Sequence, residues 1–385
     1  MKDDQTNDKL TDEAKQPAER LVSVDALRGF DMFWIMGGKT LVAALAAFTS
    51  WEWLQWILDN QMVHPEWHGF ALWDLIFPLF LFIAGVSTPI AIANRQTRGD
   101  SNSKILRHMI HRGLLLVLFG AIYNGLLKFD WSDPDKWANM RYCSVLGRIG
   151  LAYMFAAIIV LNTQWRARLW WIVGILVGYW IALRFIPVPG YGAGDLSPGH
   201  TFTDWIDQNL MPGKLYKDVR DPEGLFATLP AIATALIGGL AGELLRCSSI
   251  GGMRKSGIMA AAGVGSLVLA QLWNLDFPIN KNLWSSSFVL HCAGLSLLSL
   301  SLFHLVIDVW KFRKWTFFFV VIGANSILIY MAPKFIDFYR LTHGLLDGPV
   351  SLTGDFKPVL IAIGLVMSKW AMLYLCYRKK IFLKV

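Results

Sequence analysis

Ten stretches of about 20 mostly apolar residues recur along this chain, each long enough to cross a hydrocarbon layer about 30 Å thick. They lie at roughly 26–47, 69–93, 105–127, 143–162, 169–187, 225–245, 256–274, 284–307, 316–333 and 357–377. Composition excludes a water-soluble core. Hydrophobic residues make up 55% of the sequence and charged residues 17%, against about 45–50% and roughly 25% in soluble domains. The 18 Trp and 24 Phe suit the same solvent, because aromatic rings gather at membrane interfaces and between packed helices. The pattern predicts an all-α, polytopic membrane helical bundle with about ten transmembrane helices.

The loops alternate between basic and nearly non-basic. One side carries Arg95, Arg98, Lys104 and Arg107, then Arg166 and Arg168, then Arg246, Arg254 and Lys255. It continues with Lys311, Arg313 and Lys314, and ends with Arg378, Lys379, Lys380 and Lys384; the other side has no Lys or Arg between 48 and 67. The positive-inside rule then makes both termini cytoplasmic. Topology thus accounts for the formal net charge of +8, and nucleic acid is not implied as a partner. Residues 1–20 are polar, with no apolar run after a basic start. They read as a disordered cytoplasmic tail and not a cleavable signal peptide, leaving 21–385 as one transmembrane domain. Cys143, Cys247, Cys292 and Cys376 follow no metal-ligand spacing and read as small hydrophobes, so no metal is expected. On the non-basic side, Trp51, Trp53, Trp56 and Trp67 suit the interface, and 188–223 reads as an irregular loop.

Several polar constellations interrupt this apolar frame. In HPEWHGFALWDLIFPLFLFIAGVS (64–87), Asp74 lies inside a predicted span and Pro78 is expected to break its helical ladder. An intramembrane carboxylate is a functional candidate, though it also serves to satisfy a neighbouring helix, with His64 and His68 as surface residues. In RLVSVDALRGFDMFWIM (20–36), Arg20, Asp25, Arg28 and Asp31 crowd the basic end of the first span, where Arg and a helix N-terminus make an anion site or an Asp–Arg pair pins the helix. Arg107, His111 and Arg112 open the third span on the same side, as a phosphate pocket or as lipid-headgroup contacts. In MRYCSVLGRIGLAY (140–153), the buried Arg148 needs an anionic partner, either Asp74 or a ligand. Gly238, Gly239 and Gly242 in DPEGLFATLPAIATALIGGLAGE (221–243) read as close-packing positions. In FPINKNLWSSSFVLHCAG (277–294), Asn280, Lys281, Asn282 and Ser285 beside Trp284 form either a sugar-binding mouth or a capped helix start. Asn325, in GANSILIY, is expected to hydrogen-bond a neighbouring helix.

Taken together, RLVSVDALRG, HPEWHGFALWDLIFPLFLFIAG, MRYCSVLGRIGLAY, DPEGLFATLPAIATALIGGLAG and INKNLWSSSFVL, with NSILIY after them, resemble the motifs of the heparan-α-glucosaminide N-acetyltransferase family and its bacterial relatives. The resemblance runs from about residue 20 to the end of the chain, with the motifs in the expected order. It implies a transmembrane acyltransferase that moves an acetyl group from cytosolic acetyl-CoA to the amine of a glucosamine-type sugar or glycan on the far side. The family's catalytic histidine falls on His64, with Asp74 orienting it. Where the family commonly has Asn, this chain has His68.

On this reading Arg28, Asp25, Arg107, Arg112 and Arg148 hold the donor. The acceptor meets Trp67, His68, Asn280, Lys281, Asn282, Trp284 and Ser285. Acetyl-CoA is a co-substrate, membrane lipid a partner, a homodimer compatible, and the bacterial inner membrane the location. A sugar or lipid transporter using the same intramembrane charges is the competing expectation, and a non-catalytic membrane scaffold a third.

Overall fold

The computed structural model describes residues 21–128 and 132–383; the segment 1–20, expected as a tail, lies outside the described residues, as does Lys384. One small hairpin, β1 (Pro187–Val188) antiparallel to β2 (Gly192–Ala193), interrupts an otherwise helical chain. Helix α1 (Val22–Phe33) passes through a π-helical turn, Trp34–Gly38, into α2 (Lys39–Thr49), followed by α3 (Glu52–Gln61). A 3-10 turn, Leu72–Leu75, leads into α4 (Ile76–Gln96), and α5 (Asn102–Tyr123) returns. The short α6 (Pro134–Asn139) precedes α7 (Val145–Asn162) and α8 (Trp165–Phe185). Helix α9 (Phe202–Leu210) lies in the long loop before α10 (Thr228–Arg246). The remainder is α11 (Gly252–Asn274), α12 (Ser286–Phe303), α13 (Phe317–Ala324), α14 (Ser326–Met331), α15 (Phe338–Val350) and α16 (Lys357–Arg378).

Among the described residues, nine helices are long and apolar enough to cross a membrane. A tenth crossing arises if the pair Lys314–Ala324 and Ser326–Lys334, bent by 65°, is one span. The continuous helix expected over 316–333 is therefore corrected: the chain breaks at Asn325, which has φ −133° and ψ 40°. The Asn325 side chain replaces the lost ladder. Its Nδ2 donates to the Ile381 carbonyl at 3.0 Å and its Oδ1 accepts from the Leu383 N–H at 3.0 Å, so it binds the end of the described chain and not a neighbouring helix. The first span is also irregular. Its π turn opens the helical ladder, and the Lys369 Nζ, deep in α16, donates to the Met36 carbonyl at 2.6 Å. Pro78, expected to break a ladder, falls in the first turn of α4, where the backbone changes from 3-10 to α.

Successive spans run in opposite directions, so the basic loops and both ends of the described chain gather at one end of the bundle. His64 and the loops around 51–71, 187–227 and 275–285 lie at the other. Close helix contact without apolar solvation needs small residues. A Cβ on Gly238 would collide with the Phe82 carbonyl oxygen and one on Gly242 with the Val86 carbonyl oxygen, while one on Gly85 would collide with the Ala235 carbonyl oxygen. The α4–α10 contact is thus reciprocal and nearly backbone to backbone. Gly29 and Gly323 bring α1 against α13 in the same way.

A polar cap closes the His64 end. Arg141 grips Asp221 with two 2.7 Å bonds and also pairs with Glu223. Asp207 on α9 accepts the Leu225 N–H at 2.8 Å, and Arg148 Nη2 donates to the Gly224 carbonyl at 3.2 Å. Three side chains from outside it, Arg141, Asp207 and Arg148, therefore fix the loop 221–225. The expected pairing of Arg148 with Asp74 does not form. Its guanidinium lies 5.1 Å from the Trp284 ring centroid, beneath the cap.

Two expectations follow. Gly238→Ala and Gly242→Ala should lower the melting temperature in detergent, consistent with about 1–3 kcal/mol of overpacking. Gly239→Ala should be neutral or stabilising, because its Cβ would make only ordinary contacts, with the Val160 methyl at 3.5 Å and the Gly85 carbonyl oxygen at 3.8 Å, and alanine favours the helix. Burial pushes the Asp207 carboxyl up to about 7, with Asp204 and Asp221 adding to the shift and Arg148 opposing it. A carboxyl raised on folding stabilises the fold while protonated, and that contribution is lost as pH rises through about 7. Melting temperatures taken on either side of neutrality should fall with rising pH, and less steeply in Asp207→Asn.

Candidate active site

The site is built around one buried carboxylate. Asp74 sits in the 3-10 turn before α4 and is wholly buried. Its Oδ2 accepts the Ala71 N–H at 3.1 Å, which fixes the carboxylate plane at the start of that turn. Its Oδ1 lies 2.6 Å from His64 Nδ1. An ionised carboxylate only accepts, so Nδ1 carries the proton and Nε2 presents its lone pair. The His64 side chain is 51% exposed, while the Asp74 side chain is 1% exposed: a solvent-facing imidazole is held by a buried carboxylate.

Lys281 completes the cluster. Its Nζ is 3.2 Å from Asp74 Oδ1 and 3.2 and 3.3 Å from the two imidazole nitrogens of His64. Nδ1 cannot donate to Asp74 and accept from lysine together, and the shorter Asp74 contact prevails. Lysine therefore pairs with Asp74 and stands beside Nε2. The chain spends much local structure on presenting Lys281. Asn280 Oδ1 accepts the Leu283 N–H at 3.0 Å, and Ser285 Oγ accepts from the Asn280 N–H at 3.0 Å and caps α12 through Phe288. Trp284 takes a left-handed φ of 51°, buries its ring against Phe77, and donates its indole N–H to Thr234.

This cluster opens into a cavity of about 250 Å³ whose walls include His64, Lys281, Glu223, Asp31 and Tyr330. A second cavity, of about 460 Å³, lies toward the basic end and is lined by Arg28, Arg95, His108, His111, Arg112 and Tyr153. Phe80, Ile149, Ser326 and Ile327 belong to the walls of both. The two cavities are thus back to back, with a thin partition formed by α4, α7 and the start of α14.

Several sequence expectations take definite places. In the basic cavity, Arg28 bonds Ser87 Oγ at 2.9 Å and pairs with Asp25 at 3.4 Å, and Arg112 stands 4.7 Å from the Tyr153 ring. Arg107 is exposed and not on that wall. Positions 108, 111, 112 and 115 share one helical stripe of α5, and 107 falls off its edge. Arg148 lines neither cavity. Trp67 is tied to the cap, donating to the Leu196 carbonyl at 2.8 Å under the Arg220 guanidinium. His68 Nδ1 meets Asn280 Nδ2 at 3.3 Å, away from the cavity. Asn282 is half-buried and Trp284 and Ser285 are buried; none of the three is on a cavity wall.

Sequence reasoning missed Glu223 and Tyr330 as cavity residues and placed Asp31 at the basic end, whereas it lines the His64 cavity. Arg95 and His108 are also additions. The signal for His108 was a helical stripe of basic residues on α5, whereas Arg95 lies at the end of α4 and joins that stripe only in the folded bundle. Among the described residues no cluster of three or more His, Cys, Asp or Glu is arranged to hold a metal ion.

The profile of a family described as a domain of unknown function (DUF5009) matches residues 20–128. The chain is 28% identical to the human protein named heparan-alpha-glucosaminide N-acetyltransferase, over 84% of this chain and 55% of that one. It is also 28% identical to the mouse protein of the same name, over 96% of this chain and 62% of that one. The chain thus spans a little over half the length of these relatives. The chain is thus similar over most of its length to heparan-α-glucosaminide N-acetyltransferases, and it is itself a polytopic helical membrane protein.

Proposed function

We propose that the protein is a transmembrane acyltransferase that takes an acetyl group from acetyl-CoA at the basic, cytoplasmic end and delivers it to the amine of a glucosamine-type sugar at the His64 end. The observation that carries this reading is the pair of cavities on either side of one thin partition, one lined with cations and the other with an oriented histidine. Acetyl-CoA is polyanionic at one end and thin at the other. Arg28, Arg95 and Arg112 suit its phosphates through charge-assisted bonds, and a slender acyl arm passes where Phe80, Ser326 and Ile327 divide the cavities. A hydrophilic acceptor meets His64 without crossing the hydrocarbon layer.

The roles of the side chains follow from their geometry. Nε2 of His64 takes the proton of the attacking amine, and Asp74, 2.6 Å from Nδ1, keeps that tautomer and stabilises the imidazolium. Lys281, 3.3 Å from Nε2, stands where negative charge develops on the carbonyl oxygen. Glu223, held by Arg141, places a carboxylate on the same wall for the incoming amine.

Purified protein incubated with labelled acetyl-CoA and glucosamine should yield N-acetylglucosamine. A positioned base contributes about 10²–10⁴-fold, so His64→Ala should lose transfer by a factor in that range and keep its acetyl-CoA affinity. Asp74→Asn should lose nearly as much. His68→Asn should retain most of the turnover, because His68 stands outside the cavity. Near-normal turnover in His64→Ala, with none in His68→Asn, would move the base to the other histidine. Saturable sugar flux with no acetyl consumption would favour transport.

Donor affinity divides the basic residues. Arg28→Ala and Arg112→Ala should each weaken acetyl-CoA binding by about 1–3 kcal/mol, as for a lost hydrogen bond to a charged group. Arg107→Ala should leave it unchanged. Calorimetry on the purified variants checks both, and a loss confined to Arg107→Ala would place the phosphates on the outer face of α5.

A further inference from the structure

One ionisable group in the His64 cavity has no part in the chemistry described above. Asp31 is 1% exposed, its Oδ2 has no hydrogen-bond partner, and no cation pairs with it among the described residues. Lys281, on the wall of the same cavity, is committed to Asp74, and the lysines of the first and last spans are committed to carbonyls, Lys369 to Met36 and Lys39 to Met62, each at 2.6 Å. A carboxyl kept inside an apolar span without a partner brings the bundle no pairing energy, so a structural role does not explain it.

Its position does. Asp31 is three residues beyond Arg28 on α1, so the two share one helical face about 4.5 Å apart along the axis. Arg28 lines the basic cavity and Asp31 the His64 cavity. That face of α1 spans the partition. An acyl arm extending from the basic cavity brings its sulfur to the partition side of the thioester carbonyl, and the amine attacks from the His64 side. The leaving sulfur is then on the side where Asp31 stands, away from the base.

We propose that Asp31 is a further catalytic residue of this transfer, the acid that protonates the departing thiolate. The inference rests on the acetyl-CoA reading above. The amine nitrogen forms the new bond to the carbonyl carbon and gives its proton to His64 Nε2. The C–S bond breaks, its electron pair stays on sulfur, and the Asp31 carboxyl proton moves to that sulfur. The Asp31 carboxylate then regains a proton from the His64 imidazolium through solvent in the cavity. The amine proton ends on the free thiol, and no proton is gained or lost overall.

The test compares wild type, Asp31→Asn, Asp31→Ala and Asp31→Glu in detergent, measuring acetyl-CoA affinity by calorimetry and turnover with glucosamine at saturating donor. Asp31→Asn and Asp31→Ala should keep donor affinity within about two-fold and lose about 10²-fold in kcat. Formate should restore turnover in Asp31→Ala, where it fills the space left, and not in Asp31→Asn. Asp31→Glu should recover part of the rate. The proposal is overturned if turnover in Asp31→Asn stays near wild type, if the loss is wholly a weaker donor affinity, or if formate leaves Asp31→Ala unchanged. Absence of acetylated sugar from the wild type would instead sink the acyltransferase reading on which the proposal stands.

Discussion

A carboxylate placed at the wall of a membrane bundle has to be satisfied, and the way Asp74 is satisfied organises this protein. Its two oxygens reach three groups from three parts of the chain: the backbone of its own turn, the imidazole of His64 and the ammonium of Lys281. Each partner is held by further structure. Lys281 depends on the capped turn 280–285 with its left-handed Trp284, which in turn packs on Phe77 of α4. Removing Asp74 would leave a histidine without a fixed tautomer and a lysine without a counter-ion. The same pairing that makes the carboxylate tolerable in the membrane also fixes the imidazole's tautomer and leaves Nε2 free to accept a proton.

Around that centre the bundle is held together by close helix packing. Beside the cavities, α4 approaches α10 closely through Gly85, Gly238 and Gly242, and α1 approaches α13 through Gly29 and Gly323. The break at Asn325 opens the wall that both cavities share, since Ser326 and Ile327 begin the second half of the broken span. A continuous helix there would place different side chains on the partition. The polar cap over the His64 end, clasped by Arg141, Asp207 and Arg148, sets Glu223 on the cavity wall while leaving His64 open to solvent.

Much of this was legible in the sequence, because membrane helices announce themselves by length and apolarity, and all ten expected segments have counterparts. The motif around His64 and Asp74 was also legible, since the two residues are close in sequence and the carboxylate stands out in an apolar run. Lys281 was visible only as part of a polar cluster. Its partner His64 is 217 residues away, and nothing short of the folded bundle joins them. Asn280, Trp284 and Ser285 read equally as ligands or as a cap, and in the structure they build the turn. Asp31 was placed too far toward the basic end because depth within a span is not written in composition. The break at Asn325 was hidden for a similar reason: no proline marks it, and the Asn325 side chain bonds the backbone of Ile381 and Leu383, more than 50 residues away.

The central claim is vectorial: the acetyl group enters at the basic end and leaves at the His64 end. Protein reconstituted in sealed vesicles, sorted by orientation, with labelled acetyl-CoA on one side and an impermeant glucosamine conjugate on the other, tests it most directly. The account predicts that acetylated conjugate accumulates in the compartment that never held acetyl-CoA, and only when the basic end faces the donor. Product formed only where donor and acceptor share a compartment would contradict it.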